Sequence, residues 1–115
     1  MPSPNAIEIP KEALPDLKRM GLEAEFYKLA DVWYRETRLF SFIRQKALHP
    51  CYQRIIGMGR DALPFIFREL SKGKGDWIWA LESITRLDAN PVPSGATFKE
   101  ARTIWLRWGK SNGYI

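Results

Sequence analysis

The only histidine and the only cysteine of the chain, His49 and Cys51, stand on either side of Pro50. A cysteine nucleophile requires a base within hydrogen-bond reach and usually a third group that orients the base. Two side chains that flank a proline in extended geometry point to opposite sides, which works against such contact. We therefore expect His49 to end one helix and Cys51 to pack as a small apolar side chain.

The other residue types that carry chemistry are scattered. One Cys and one His cannot form an internal disulfide or a zinc cluster. The glycine pairs in GMG and GKG do not follow a strand and do not fit the phosphate-binding pattern GxxxxGK[ST]. The carboxylates show no paired spacing for acid–base work or metal binding: Glu36, Asp61, Glu69, Asp76, Glu82 and Asp88. We expect no enzyme, no metal site and no cofactor.

The aromatic residues carry the clearest functional signal. Trp77 and Trp79 are two positions apart, about 200° around a helix, so they cannot share a face. If Trp77 lies in the core, Trp79 faces outward, and Phe65 lies off the apolar stripe of its own helix in the same way. Either a second layer of helices covers these rings, or they form an exposed patch rimmed by charge, as at partner-binding hot spots. The second interpretation predicts a partner-binding surface of Phe65, Arg68, Trp79 and Arg86.

Basic residues offer an alternative function. The 115-residue chain has a net charge of +5, from 18 Lys and Arg against 13 Asp and Glu. Cations interleaved with Trp105, Trp108 and Tyr114 could track a phosphate backbone while exposed rings stack on bases. Such charges more commonly belong to a solvated helix face, and no helix-turn-helix, RRM or KH motif strengthens the case for nucleic-acid binding. The nucleic-acid candidates are Lys72, Lys74, Lys99, Arg102, Arg107 and Lys110.

The elements that must position these residues are helices, because no alternating run is long enough to seed a sheet. We predict an all-α fold: a flexible arm over residues 1–10, then one domain over residues 11–115, a compact bundle of about five helices. Gly21 is expected to end a short first helix, and a long amphipathic helix of about 25 residues follows, loosening near Ser41 and ending at Leu48. Asp76 is the predicted N-cap of the helix that carries Trp79.

The last helix has the clearest start signal. Thr97 and Glu100 have the spacing of a capping box. Phe98, Ala101, Trp105 and Trp108 then line one face, which predicts a buried stripe.

Residues 55–87, IIGMGRDALPFIFRELSKGKGDWIWALESITRL, resemble one HEAT-type helical hairpin. Such repeats carry a Gly before the first helix, an apolar-Pro pair near its start, an apolar residue and Leu at its end, and an acidic residue that opens a second helix built around Ala-Leu and Ile. A solenoid stacks several such repeats, and only one is found here. The matching residues are Gly59, Leu63, Pro64, Glu69, Leu70, Asp76, Ala80, Leu81 and Ile84.

A longer string resembles a set of short bacterial proteins of about this length. It runs from WYRETR at residues 33–38 through HPCYQRIIGMG, DWIWALESIT, NPVP and WLRWG to GY. This resemblance covers most of the chain but implies no activity.

Location and function follow from these features as expectations. The N-terminal residues have no basic and apolar regions of a secretory signal, and the longest apolar runs, 62–67 and 77–81, fall far short of the roughly 20 residues of a membrane span. We expect a cytoplasmic, non-catalytic protein that binds a protein partner as an adaptor or inhibitor and does not bind membranes. Nucleic-acid binding is the alternative, and self-association is a third option.

Overall fold

The computed structural model describes residues 11–86 and 91–115, and every regular element in these ranges is helical, which confirms the all-α fold. The arm predicted for residues 1–10, and Leu87 and Asp88, lie outside the described residues. Short 3₁₀ turns at Lys11–Ala13 and Gly59–Ala62 precede the first and fourth helices. The helices are α1 (Leu14–Thr37), α2 (Ile43–Ala47), α3 (Pro50–Gly57), α4 (Leu63–Ser71), α5 (Ile78–Thr85) and α6 (Phe98–Ser111).

The first helix differs from the prediction at both ends. Gly21 does not end a helix but lies inside α1, exposed to solvent. A glycine in a helix interior costs only about 1 kcal/mol relative to alanine, and the good helix formers around it outweigh that cost.

The chain leaves the helix at Arg38 rather than at Leu48. The Thr37 hydroxyl bonds the Trp33 carbonyl at 2.6 Å, and a turn leads into α2. The Trp33 indole Nε1–H donates to the Lys46 carbonyl at 2.8 Å. A continuous helix would hold these two residues about 20 Å apart, so folding back satisfies a buried indole.

An aromatic cluster fills the centre of the bundle, between α1, α3 and the start of α5. The Trp77 ring lies 4.7 Å from that of Trp33, 5.5 Å from that of Phe26, and stacks on Tyr52 at 5.5 Å with planes 9° apart. All four rings are almost completely buried. The inward position expected for Trp77 is therefore confirmed.

α6 packs against α4 through a close contact. A Cβ built on Gly109 would come within 2.8 Å of the Phe67 ring, so only glycine fits this face of α6 without moving that ring. Trp105 and Trp108 belong to the stripe that the sequence predicts to be buried. Trp105 is fully buried as expected, and Trp108 is partly buried. Within the described residues, no helix is both long and apolar enough to span a membrane.

Candidate protein-docking groove

An apolar groove of about 250 Å³ opens where α2, α5 and the start of α6 meet. Trp79, Ile43 and Phe98 line it and are 36%, 40% and 52% exposed. Its remaining lining residues are Ile78, Asp76 and Glu82. We call this the Trp79 groove. Large aromatic and aliphatic side chains that share one concave surface are the usual anchors of protein interfaces.

Trp79 is held outward because Trp77, just before α5, is fixed in the core. The Tyr52 hydroxyl accepts a bond from the Ala80 backbone N–H at 2.8 Å and donates to the Asp76 carbonyl at 2.9 Å. It thus satisfies one of the free N–H groups in the first turn of α5, the turn that carries Trp79. Gly75 (φ +84°) lets the chain enter this turn beside Trp77 and Tyr34, where a Cβ would meet both side chains within 2.8 Å.

Asp76 is not the N-cap of α5, so that prediction is wrong. The N-cap position belongs to Trp77, which makes no side-chain capping bond. The Asp76 carboxylate instead pairs with the Lys46 ammonium at 2.8 Å. This ion pair joins α2 to the loop before α5, and it brings Ile43 to the edge of the groove.

The third wall of the groove comes from the first residue of α6. The Thr97 hydroxyl accepts a bond from the Glu100 N–H at 3.1 Å and donates to the Glu100 carboxylate at 3.0 Å. The capping interaction expected from the sequence is therefore confirmed. It fixes the start of α6, so Phe98 projects into the groove instead of the core.

The predicted partner-binding surface is not assembled as a unit. Phe65 is 1% exposed and packs on Phe26 and Tyr27 of α1, so of the two alternatives left open, a covering layer of helices holds for this ring. Arg68 lies over the Phe65 and Tyr27 rings and pairs with Glu23 at 2.6 Å. Arg86 ends α5 in the left-handed conformation (φ 48°) and is not a groove residue. Of the four predicted residues, only Trp79 lines the groove.

Three of the six cations proposed for nucleic-acid binding have partners within the protein. Lys72 pairs with Glu69 at 3.2 Å, and the Lys74 ammonium lies 4.5 Å from the centre of the Tyr34 ring. Arg102 donates to the carbonyls of Leu70 and Ser71, at the C-terminal end of α4. The remaining candidates, Lys99, Arg107 and Lys110, are exposed and share one face of α6.

The His49 ring contacts Cys51, but the contact is a helix-capping hydrogen bond to the Cys51 backbone N–H and does not involve the thiol. His49 is the N-cap of α3, and its Nδ1 accepts the Cys51 backbone N–H at 3.1 Å. Its Nε2 faces the Glu36 carboxylate at 3.1 Å. Both ring nitrogens thus have partners other than the thiol, and Cys51 packs partly buried against the core. This arrangement agrees with the structural interpretation of the pair.

Among the residues that the structure describes, the most buried carboxylate belongs to a brace between α1 and α4. Glu69, with its side chain 3% exposed, accepts bonds from the Tyr34 and Tyr27 hydroxyls at 3.0 and 3.3 Å. Burial raises the pKa of both tyrosines, and the negative charge of Glu69 adds to the rise. Both carboxylate oxygens of Glu69 have a hydrogen-bond partner, and Glu69 does not line the Trp79 groove. Among the described residues, no cluster of three His, Cys, Asp or Glu side chains could hold a metal ion.

Ile43 and Phe98 were missed as groove residues because apolar spacing predicts burial for both. Phe98 belongs to the predicted stripe of the last helix, and Ile43 recurs at helical spacing with Trp33 and Ala47 in the predicted long helix. Each stands near a helix end, Ile43 at the start of α2 and Phe98 at the start of α6. An apolar stripe in the sequence identifies which face of a helix is buried. It does not indicate how far along the helix the neighbouring elements cover that face. The local sequence offers no signal that would have separated them from core residues.

Comparisons with known proteins provide no homology-based assignment: no family model, curated protein or solved structure matches the chain. The resemblances to a HEAT-type hairpin and to short bacterial proteins therefore stay predictions.

Proposed function

We propose that this protein is a small, non-catalytic binding protein that receives a segment of another protein in the Trp79 groove. The observation that carries the proposal is the convergence of Trp79, Ile43 and Phe98, each more than one-third exposed, in one concave apolar surface. Tryptophan is enriched among interface residues whose truncation is most costly. The groove volume, about 250 Å³, is below the roughly 300–1,000 Å³ typical of small-molecule sites, which favours a protruding side chain of a partner.

The occupant that fits best is an amphipathic helix with apolar side chains one turn apart and a Lys or Arg beside them. The ionisable residues that line the groove, Asp76 and Glu82, are both acidic, and the Asp76 carboxylate already pairs with the Lys46 ammonium at 2.8 Å. Because none of the described residues that line the groove is a cation, a Lys or Arg of a partner meets no like charge among them and can share these carboxylates. Helix-in-groove recognition uses apolar anchors at this spacing.

Selection from a displayed library of helical peptides tests this proposal. We expect the selected sequences to combine apolar residues at i and i+3 or i+4 with Lys or Arg. Their affinity should fall at least tenfold for Trp79→Ala, about 1.4 kcal/mol or more. The control is Met20→Ala, which truncates a side chain 64% exposed on α1, far along the chain from the groove residues, and should leave affinity unchanged.

Two results would contradict the proposal. One is a selection whose peptides bind the Trp79→Ala and wild-type proteins equally. The other is concentration-dependent self-association by sedimentation that Trp79→Ala abolishes, because the occupant would then be a second copy of this chain.

Nucleic-acid binding through α6 is the second candidate function. Lys99, Arg107 and Lys110 support it because they lie exposed on one face of the helix. Counterion release predicts that affinity for an oligonucleotide falls steeply as salt rises. Affinity that does not change with salt, or no binding at low salt, would remove this candidate.

A further inference from the structure

A second concave surface, of about 550 Å³, lies between the first turns of α1 and the 3₁₀ turn Gly59–Ala62. Lys18 and Arg19 line one wall, and Arg60 lines the opposite wall. Tyr114 closes one side, and its hydroxyl accepts a bond from Arg60 at 3.2 Å. We call this the basic cleft. It shares no lining residue with the Trp79 groove.

The charge of the basic cleft is distinctly positive. Its lining residues include three cations, all exposed, and within the described part of the chain Asp61 is the one carboxylate among them. An adjoining cleft that shares Leu22 and Asp61 adds Arg54 and Glu25, one residue of each sign. The excess of positive charge therefore lies in the basic cleft itself. Two of its three cations are arginines, whose planar donor forks match phosphate oxygens.

An aromatic ring stands beside these cations. The Tyr114 ring stacks on Phe67 and on Trp108, with centroids 5.9 Å apart in both pairs and planes 23° and 15° apart. The stack holds Tyr114 in place without using its cleft-facing hydroxyl. The stacked ring therefore fixes the hydroxyl that holds the Arg60 guanidinium at the side of the cleft, so that Arg60 is positioned opposite Lys18 and Arg19.

We propose that the basic cleft binds single-stranded nucleic acid, with phosphates contacted by Lys18, Arg19 and Arg60. An extended strand lying between the two walls meets cations from both sides. The cations of the basic cleft, Lys18, Arg19 and Arg60, are all different from those of the α6 candidate, so the two can succeed or fail separately.

Fluorescence anisotropy with a labelled oligothymidine tests the proposal. A length of about 12 nucleotides lies within the range of about 4–16 that single-strand sites cover. In low salt, replacing Lys18, Arg19 and Arg60 together by Gln should weaken binding at least tenfold. It should also reduce the slope of log affinity against log salt by about 2, since each lost phosphate contact on a single strand changes that slope by about 0.7. The matched control replaces Lys28, Arg38 and Arg44 by Gln, three exposed cations that line neither the basic cleft nor the Trp79 groove, removes the same charge, and should weaken binding less than threefold.

Two further variants distinguish the effect of charge within the basic cleft from the effect of the net charge of the protein. Asp61→Asn removes the carboxylate of the basic cleft and should strengthen binding roughly three- to tenfold at low salt. Asp31→Asn makes the same charge change on an exposed part of α1 outside the cleft and should have little effect.

Tyr114→Phe keeps the ring but loses the bond to Arg60, so retained binding would show that the triple variant does not act by displacing Tyr114.

Four outcomes would overturn the proposal. No oligothymidine binds at low salt, or the control triple weakens binding as much as the cleft triple, which would indicate diffuse attraction to a basic protein. Polyglutamate competes as well as unlabelled oligothymidine, which would make the cleft a site for acidic peptides. Adenosine monophosphate competes at the same concentration as the strand, which would make it a nucleotide pocket.

Discussion

The side chain of Tyr52 on α3 caps α5 by accepting the backbone N–H of Ala80 at 2.8 Å. These residues are 28 positions apart, and the cap replaces the one that Asp76 was expected to provide. The same hydroxyl donates to the Asp76 carbonyl, so a single buried group holds the loop and the first turn of α5 together. The turn so fixed carries Trp79, which links the aromatic core to the groove.

Replacing this hydroxyl tests the cap directly. Tyr52→Phe leaves the Ala80 N–H buried without a partner, which should reduce the free energy of unfolding by about 1–3 kcal/mol. Tyr114→Phe removes a hydroxyl bonded to an exposed arginine and should change it by less than about 0.5 kcal/mol. Urea denaturation measures both, and equal effects of the two variants would mean that the Tyr52 cap does not stabilise α5.

Two glycine-to-alanine changes should have opposite signs. Gly109→Ala places a methyl group 2.8 Å from the buried Phe67 ring and should destabilise the protein by about 1–3 kcal/mol. Gly21→Ala meets open space in an exposed helix and should stabilise it by about 0.5–1 kcal/mol. Thermal and urea unfolding provide the comparison. Loss of stability at Gly21 would argue that the chain does bend there.

The His49 cap predicts a ranking of substitutions. His49→Ala removes the acceptor for the Cys51 N–H and should cost about 1 kcal/mol of stability, whereas His49→Asn supplies a side-chain oxygen and should recover most of it. Glu36→Gln changes only the half-exposed carboxylate that faces the Nε2 of the ring at 3.1 Å and should have a smaller effect. If the Ala and Asn variants are equally stable in denaturant titrations, the imidazole is not acting as a cap.

Alkaline pH should destabilise the fold through its buried tyrosines. Burial raises the pKa of Tyr27, Tyr34 and Tyr52 above the ordinary value of 10.0. Above about pH 10 the unfolded chain therefore loses these protons before the folded protein does. The stability is fully present below that pH and falls as pH rises, by at most about 1.4 kcal/mol per pH unit for each tyrosine.

Tyr34→Phe isolates one of these contributions. It removes one of the three groups, so its unfolding free energy should fall less steeply than that of the wild type between about pH 10 and 11. Tyrosinate absorbance, which should appear later in the folded protein than in the denatured chain, provides an independent measurement. Parallel stability curves would contradict the raised pKa of Tyr34.

Features set by neighbouring residues were predictable from the sequence, because their causes lie within a few positions. The Thr97–Glu100 spacing predicted the start of α6, and the angle between Trp77 and Trp79 predicted that one ring is buried and the other faces outward. The Pro50 ring predicted the change of direction after His49, which is the N-cap of α3.

Features set by distant packing were not predictable. The turn after Thr37 depends on a bond from Trp33 to the Lys46 carbonyl, which no local pattern encodes. Phe65 is covered because α1 crosses it, although its helical wheel places it away from the stripe. The groove itself needs Ile43 and Phe98, which are 55 positions apart, to meet beside Trp79.

The central claim is that the Trp79 groove holds a protein partner, and a quantitative pull-down tests it most directly. Wild-type, Trp79→Ala and Met20→Ala proteins are used as baits in native extract, with and without nuclease treatment, and the recovered proteins are read by mass spectrometry. The account predicts a stoichiometric protein that Trp79→Ala loses, that Met20→Ala keeps, and that a groove-selected peptide displaces. Recovery that is equal for all three baits, or that disappears with nuclease treatment, would contradict it.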